Sequence, residues 1–411
     1  MAYERKIIND PVFGFINIPK GLLYDIVRHP LLQRLTRIKQ VGLSSVVYPG
    51  AQHTRFQHSL GAFHLMSEAI MQLASKGNFI FDSEAEAVQA AILLHDIGHG
   101  PFSHVLEDTI VKGVSHEEIS LMLMERMNKE MNGQLSLAIQ IFKDEYPKRF
   151  LHQLVSGQLD MDRLDYLRRD SFYTGVTEGN IGSARIIKML DVADDHLVVE
   201  SKGIYSIENF LTARRLMYWQ VYLHKTSVAY ERMLISTLLR AKELARKGVE
   251  LFASPALHFF LYNDIDPEKF HSNPECLENF IQLDDNDIWT SLKVWSTHPD
   301  KVLSTLSLGI INRNIFKVEI SSEPISEERK KELTLQISRQ LGVTLSEANY
   351  FVSTPSIEKN MYEPADDSID IIYKDGTIKN IAEASDMLNI SLLSKKVKKY
   401  YICYQRLHIQ V

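Results

Sequence analysis

Apolar residues recur at helical spacing over most of the first three hundred positions. In LLQRLTRIKQ (31–40), Leu31, Leu35 and Ile38 share one face and the basic residues occupy the other. The segments 59–74 and 83–95 repeat that period, which predicts amphipathic helices. Ser83 followed by Glu86 reads as a capping box that opens the second of them. Residues 209–247 contain neither proline nor glycine and predict one long helix or two. Residues 1–20 are short and turn-rich, with Asn9-Asp10-Pro11 and Pro19. HLVVESKGIYSI (196–207) alternates around Lys202-Gly203, which predicts a hairpin. Beyond about residue 300 the pattern changes. FKVEI (316–320) reads as a strand, 325–342 as a helix and NYFVST (349–354) as a strand. The segment 368–381 reads as a hairpin turning at Asp375-Gly376, and KKYYICYQ (398–405) as a last strand. The expected fold is mainly α: a helical domain over 1–300 with its small hairpin near 196–207, and a smaller α+β domain over 301–411.

Composition narrows the picture. The chain has 411 residues, 45% hydrophobic and 24% charged, which is long enough and apolar enough to build its cores without staples. Its 46 basic and 52 acidic side chains leave a net charge of −6, which argues against sequence-blind nucleic-acid binding. SKKVKKYYICY (394–404) mixes basic and aromatic residues, but an edge strand guarded by lysines is the simpler account. Two distant cysteines, Cys276 and Cys403, make no disulfide framework and fit a reducing compartment. MAYERKIIND has no apolar core for a secretion signal, and no run approaches the roughly 18 apolar residues of a membrane span. A cytoplasmic protein with no membrane partner is expected.

Four short elements carry the chemistry: HTRFQHS (53–59), HDIGHGPFSH (95–104), SHEE (115–118) and LDMDRLDYLRRD (159–170). His95 and Asp96 close the apolar run AVQAAILL and meet Gly98, Gly100 and Pro101 at once. An isolated His-Asp pair at a helix end is ordinarily a cap or a surface pair. Three histidines and an aspartate in ten residues, over a glycine hinge, point instead to a metal. His58 and Asp162 supply the remaining ligands of a closed site. Imidazole with carboxylate suits Mn, Fe, Zn or Ni better than an all-oxygen Mg cage, and the divalent ion's identity stays open among these five.

A distant histidine, an adjacent His-Asp pair and a later aspartate form the pattern of the HD-domain phosphohydrolases, which this chain resembles. HDIGHGPFSH, preceded by YPGAQHTRFQHSLG (48–61), is similar in particular to the deoxynucleoside triphosphate triphosphohydrolase branch. The likeness runs in ordered motifs from about Asn9 to Lys225; the tail beyond about residue 300 carries no comparable signature. The resemblance implies a helical HD core with metal ligands His58, His95, Asp96 and Asp162. It implies that His116 handles a proton at the leaving group or the attacking water, and that Arg55, His99 and His104 surround the α-phosphate. It places Gln40 at the sugar 3′-hydroxyl, and Arg163, Tyr166 and Asp170 at the triphosphate and sugar. Arg215, Tyr222 and Lys225 would lie on a helix closing over the nucleotide. Its members also imply a homo-oligomer.

The implied reaction is hydrolysis of a dNTP to deoxynucleoside and inorganic triphosphate. Alternatives are another nucleotide substrate (a monophosphate, a cyclic nucleotide, an alarmone) or a nucleotide sensor without turnover. Taken singly, the residues have plainer readings. Tyr166 and Tyr222 read as core aromatics, Asp165 and Asp170 as surface partners of Arg169 and Arg163, and His116 as a first-turn residue behind Ser115. The ordered set is what favours function.

Overall fold

The computed structural model describes residues 5–102, 104–107, 109–359, 368–386 and 397–406; the side chains of His104 and Lys359 lie outside that description. Where the first residues read only as turns, an antiparallel hairpin forms: β1 (Arg5–Asp10) pairs with β2 (Gly14–Pro19). Ile16 and Ile18 point into the core while Phe15 stays exposed, so the alternation is present but only a few residues long. Asp10 closes the turn by accepting the Val12 and Phe13 N–H groups, each at 2.9 Å.

The helical body follows, with α1 (Arg55–Ser75) lying against both α2 (Asp82–Leu94) and α5 (Met161–Thr174). Between them come α3 (His116–Glu130) and α4 (Arg149–Val155). The end of α2 is apolar all round, with Ala90 through Leu94 fully buried, as befits a helix at the centre of a core. Its cap sits earlier than the sequence suggests. Glu84, not Glu86, accepts the N–H of the residue before the helix, Phe81, at 2.9 Å.

Two further differences concern the segment 190–247. The hairpin is β3 (Leu190–Ala193) with β4 (His196–Glu200), and it turns at Asp194 and Asp195 rather than at Lys202-Gly203. Both aspartates take positive φ (50° and 60°), the conformation a two-residue type I′ turn demands. Lys202-Gly203 instead ends a 3₁₀ turn that leads straight into α6 (Ile204–Met217). The long helix then divides in two. A π-helical turn over Tyr218–Tyr222 and a break at Leu223-His224 separate α6 from α7 (Lys225–Arg246).

In the tail, β5 (Lys317–Ser321), α8 (Glu327–Leu341) and β10 (Val397–Tyr404) follow the sequence pattern. The stretch 349–354 gives a 3₁₀ turn and only a two-residue strand, β6 (Val352–Ser353). β10 pairs with β5, β6 and β7 (Ser356–Lys359). The hairpin of β8 (Asp370–Ile372) and β9 (Ile378–Asn380) turns at Asp375-Gly376 and joins the earlier one, giving the order β3-β4-β8-β9. Strands from both sides of residue 300 therefore share one sheet. The architecture is mainly α with small sheets.

Gly61 sets how closely α1 and α5 approach. A methyl group there would stand 2.0 Å from Asp165 Oδ1 and 2.1 Å from Arg169 Nη2. Those two form a fully buried ion pair, Nε to Oδ2 at 3.0 Å. Gly61→Ala is expected to destabilise the protein by about 3 kcal/mol, the scale on which broken buried pairs are felt. Chemical denaturation checks this, and an unchanged midpoint refutes it.

Candidate active site

The C-terminus of α2 delivers His95 and Asp96 to the centre of the body. Gly98 lets the chain turn hard against α3, where an added Cβ would come within 2.1 Å of the His116 carbonyl. Ser120 ties the two together, accepting from Gly98 N at 2.9 Å and donating to His95 O at 2.8 Å. Arg34, which the sequence places on a basic outer face, is fully buried instead. Its guanidinium donates to the Ile97 carbonyl at 3.2 Å and the His99 carbonyl at 2.8 Å, anchoring the loop. Burial pulls its pKa down to about 9, so it stays charged at neutral pH.

Three donors, His58, His95 and Asp162, converge at this point, with Asp96 beside them. His58 Nε2 lies 3.3 Å from His95 Nε2, 3.1 Å from Asp162 Oδ1 and 3.7 Å from Asp96 Oδ2. His95 Nε2 lies 3.4 Å from Asp96 Oδ1 and 3.5 Å from Asp162 Oδ1. Ligands each about 2.1 Å from one ion stand roughly 3.0–3.4 Å apart, so His58, His95 and Asp162 suit a single divalent cation, while Asp96 meets the two rings with different oxygens and groups with His99 and His116. The outer nitrogens are already engaged. His58 Nδ1 bonds Asp165 Oδ2 at 2.6 Å, and His95 Nδ1 bonds the Ile92 carbonyl at 2.7 Å. Each ring is thereby fixed with Nε2 turned inward, the arrangement that metal-ligating histidines need. Burial opposes a charge on His58, but the carboxylates of Asp162 and Asp165 outweigh it and lift its pKa to about 10. Burial also works against an ionised Asp162, yet His58 and His95 hold it well below the usual carboxylate range. The pocket is built to hold positive charge, and a metal ion competes there with a proton.

Beside this centre lies a second group, Asp96, His99 and His116. Arg55 Nη1 donates to Asp96 Oδ2 at 2.5 Å, and His99 Nε2 stands 3.3 Å from Asp96 Oδ1. Burial, aided by the nearby Arg55 charge, pushes His99 down to about 3, so its ring is neutral. It stacks on His116 with centroids 3.9 Å apart. Glu107 Oε1 holds His116 Nδ1 at 3.1 Å.

Both groups open on a cavity of about 420 Å³ whose walls include Gln40, Arg163, Tyr166, Asp170, Tyr218 and Tyr222. Gln40 arrives there because its segment pairs with the start of α1: its N–H bonds the His53 carbonyl at 3.0 Å, and Arg55 N–H bonds the Ile38 carbonyl at 2.9 Å. Its side-chain Oε1 is buried with no hydrogen-bond partner among the described residues. Asp170 is pinned on both oxygens, by His53 Nε2 and by the Tyr222 hydroxyl, each at 2.6 Å. The π-helical turn aims Tyr218 and Tyr222 at the cavity, where with Tyr166 they make an edge-to-face cluster.

The structure does not bring every expected residue to this cavity. Arg215 is half-buried and Lys225 exposed, and neither is among the lining residues; the side chain of His104 lies outside the described residues. The surface pairings differ too. Asp165 and Arg169 are partners, but fully buried ones; Asp170 bonds His53 and Tyr222, while Arg163 is held by Asp160 and the Gly157 carbonyl. Arg214, which sequence reasoning passed over for its neighbour, is buried. Its Nη1 donates to Gln158 at 3.1 Å, and its Nε has no partner among the described residues. The buried series Ile207, Phe210, Leu211, Arg214, Met217 follows the helical period, so phase alone separates Arg214 from Arg215. Glu107, His53 and Asp165 were also missed as supports of the site.

Comparison with known proteins finds a domain match that spans this centre. The sequence profile of the HD domain matches residues 55–169, and that of an HD associated region matches 181–253. A crystal structure of a phosphohydrolase from Bacteroides thetaiotaomicron is 94% identical with a TM-score of 0.96, over 98% of this chain and 100% of that one. The uncharacterised protein YwfO of Bacillus subtilis is 28% identical over 98% of this chain and 93% of its own. Deoxynucleoside triphosphate triphosphohydrolase SAMHD1 of Homo sapiens is 27% identical, covering 79% of this chain and 56% of its own length. A mainly helical body with a histidine–aspartate metal centre defines a metal-dependent phosphohydrolase. The chain belongs to the HD-domain phosphohydrolase family, and within it resembles the dNTP triphosphohydrolase branch. Among the described residues no helix is long and apolar enough to cross a membrane.

Asp96→Ala and Asp162→Ala are each expected to lose most of the bound transition metal on purification. Elemental analysis checks this, and metal content equal to that of the unaltered protein removes these residues from the ligand set.

Proposed function

We propose that this protein hydrolyses deoxynucleoside triphosphates to a deoxynucleoside and inorganic triphosphate. The observation that carries the reading is the unmet acceptor of Gln40, buried in the cavity whose walls also include Asp96 and Asp162. A buried polar atom without a partner costs about 1–3 kcal/mol, and a sugar hydroxyl would supply the missing donor. Asp170, fixed by His53 and Tyr222, presents a second carboxylate to the same region, and the tyrosine cluster offers faces for a sugar and base to pack on. The SAMHD1 relative, named for this activity, supports the reading.

When bound, the divalent ion polarises a phosphoryl oxygen and acidifies a water. The remaining work falls to the chain. Water attacks the α-phosphorus, the bond from phosphorus to the 5′-oxygen breaks, and that oxygen gains a proton. His116, oriented by Glu107, is the proton carrier. Arg55, held against Asp96, answers the charge that grows on the α-phosphoryl group, and neutral His99 can hydrogen-bond beside it. Arg163, which lines the cavity, supplies positive charge for the β- and γ-phosphates. Arg215 and Lys225 stand farther out on the same stretch and do not line the cavity. The assembly is proposed to be a homo-oligomer, for which light scattering should report at least twice the mass of one chain.

Chromatography of the products from each of the four dNTPs, with Mn²⁺, Mg²⁺ and other divalent ions in turn, is expected to show deoxynucleoside and intact triphosphate. Release of monophosphate with pyrophosphate, or no turnover with any dNTP, overturns the reading in favour of another nucleotide or a sensor. His116→Ala is expected to keep KM within a few-fold and to lower kcat by about 10²–10⁴. Glu107→Gln, which keeps shape but removes charge, should shift the pH profile of kcat. Wild-type rates for His116→Ala across pH 6–8 exclude it from the proton transfer.

A further inference from the structure

A second cavity, of about 250 Å³, lies between α4, the loop 156–160 and the first turn of α5. It is smaller than the roughly 300–1,000 Å³ clefts that take drug-sized ligands. Its walls include Arg149, His152, Ser156, Gln158 and Arg163, and no carboxylate side chain is among its lining residues. Arg163 lines both this cavity and the catalytic one, so a single guanidinium forms part of the partition. It is held in place by Asp160 and by the Gly157 carbonyl. Gln158 adds a second link, because it lines the smaller cavity and accepts from the buried Arg214 at 3.1 Å. On the outer side His152 gives Nδ1 to the Ile141 carbonyl at 2.9 Å, which leaves Nε2 for a ligand. Arg149 has one long ion pair, to Asp144 at 3.6 Å, and is half exposed.

The chain thus lays cationic and donor groups in succession from the catalytic cavity outward: Arg163, shared by both cavities, then Gln158, backed by the buried Arg214, then His152 and Arg149. Such a file of groups suits a small, flexible polyanion. Guanidinium groups bind phosphate oxygens in pairs of charge-assisted bonds, and a chain of phosphates can meet several of them at once. We propose that this cavity is a binding site for an inorganic phosphate chain, in the first place the triphosphate released next door. The triphosphate source rests on the function proposed above; the site's preference for a phosphate chain does not.

Calorimetric titration of the full chain with inorganic triphosphate tests it, with Arg149→Ala and Arg149→Ala/His152→Ala alongside. Both side chains lie outside the catalytic cavity, so initial rates on nucleotide are expected to stay within about twofold of the unaltered protein. The unaltered protein should take up triphosphate in two classes of site, and the double variant should lose or weaken one class by about tenfold or more. Inhibition of turnover by added triphosphate should weaken in parallel. Identical stoichiometry and affinity in all three proteins overturns the proposal, as does orthophosphate filling the site as tightly as triphosphate. A double variant that loses triphosphate binding while no dNTP yields triphosphate would leave the anion site standing and remove the reaction assigned to its neighbour.

Discussion

A buried relay of alternating charges organises the catalytic body. His58 leans on Asp165, Asp165 on Arg169, and Arg169 Nη1 reaches Asp10 at 2.7 Å. Asp10 in turn holds the β1–β2 turn, so the relay runs from the metal centre to the N-terminal hairpin. All four side chains are almost wholly removed from water. Charges in that position are stabilising only as a complete set, because removing one member leaves another buried and unanswered. The glycine at position 61 belongs to the same constraint. It gives the relay the room that a side chain on α1 would occupy, and so fixes the spacing between the helices that carry His58 and Asp162.

Around this scaffold the site divides by electrostatic task. On one side, imidazoles with engaged Nδ1 atoms and strongly acidic carboxylates make a seat for a cation. On the other, Arg55 bonds Asp96 and the stacked pair of His99 and His116 lines the cavity beside it. The low pKa of His99 follows from burial and its arginine neighbour, which keep that ring neutral where it stacks on His116. The third wall is the π-helical turn. π-Helical turns are rare and cluster at functional sites, and this one aims two tyrosines at the cavity.

The helices around the site and the strands of the tail were legible because their periods run for several turns or pair around a clear Asp-Gly signal. The candidate donors His58, His95, Asp96 and Asp162 stood out by clustering and spacing; His58, His95 and Asp162 lie together, and Asp96 sits beside them with His99 and His116. Short elements were less legible. Alternation in GFINIP spans too few residues to outvote two prolines and an Asx turn. The type I′ turn used Asp194-Asp195, a pair without the glycine that usually marks it. Arg34 looked like a solvated residue because its partners are backbone carbonyls far along the chain, which no local pattern reports. Which of Arg214 and Arg215 is buried depends on helix phase, which was readable; the π-turn after them was not.

The parallel pairing of β4 with β8 joins Val198–Glu200 to Asp370–Ile372, segments far apart in the sequence. Contacts of such long range form late, because the intervening loop must close before they reward the chain. Until then β4 offers an unpaired backbone edge, the kind of surface on which strands of other molecules add. The tail thus acts as a stopper for the catalytic half, its strand near residue 370 covering the edge of β4 that would otherwise lie open.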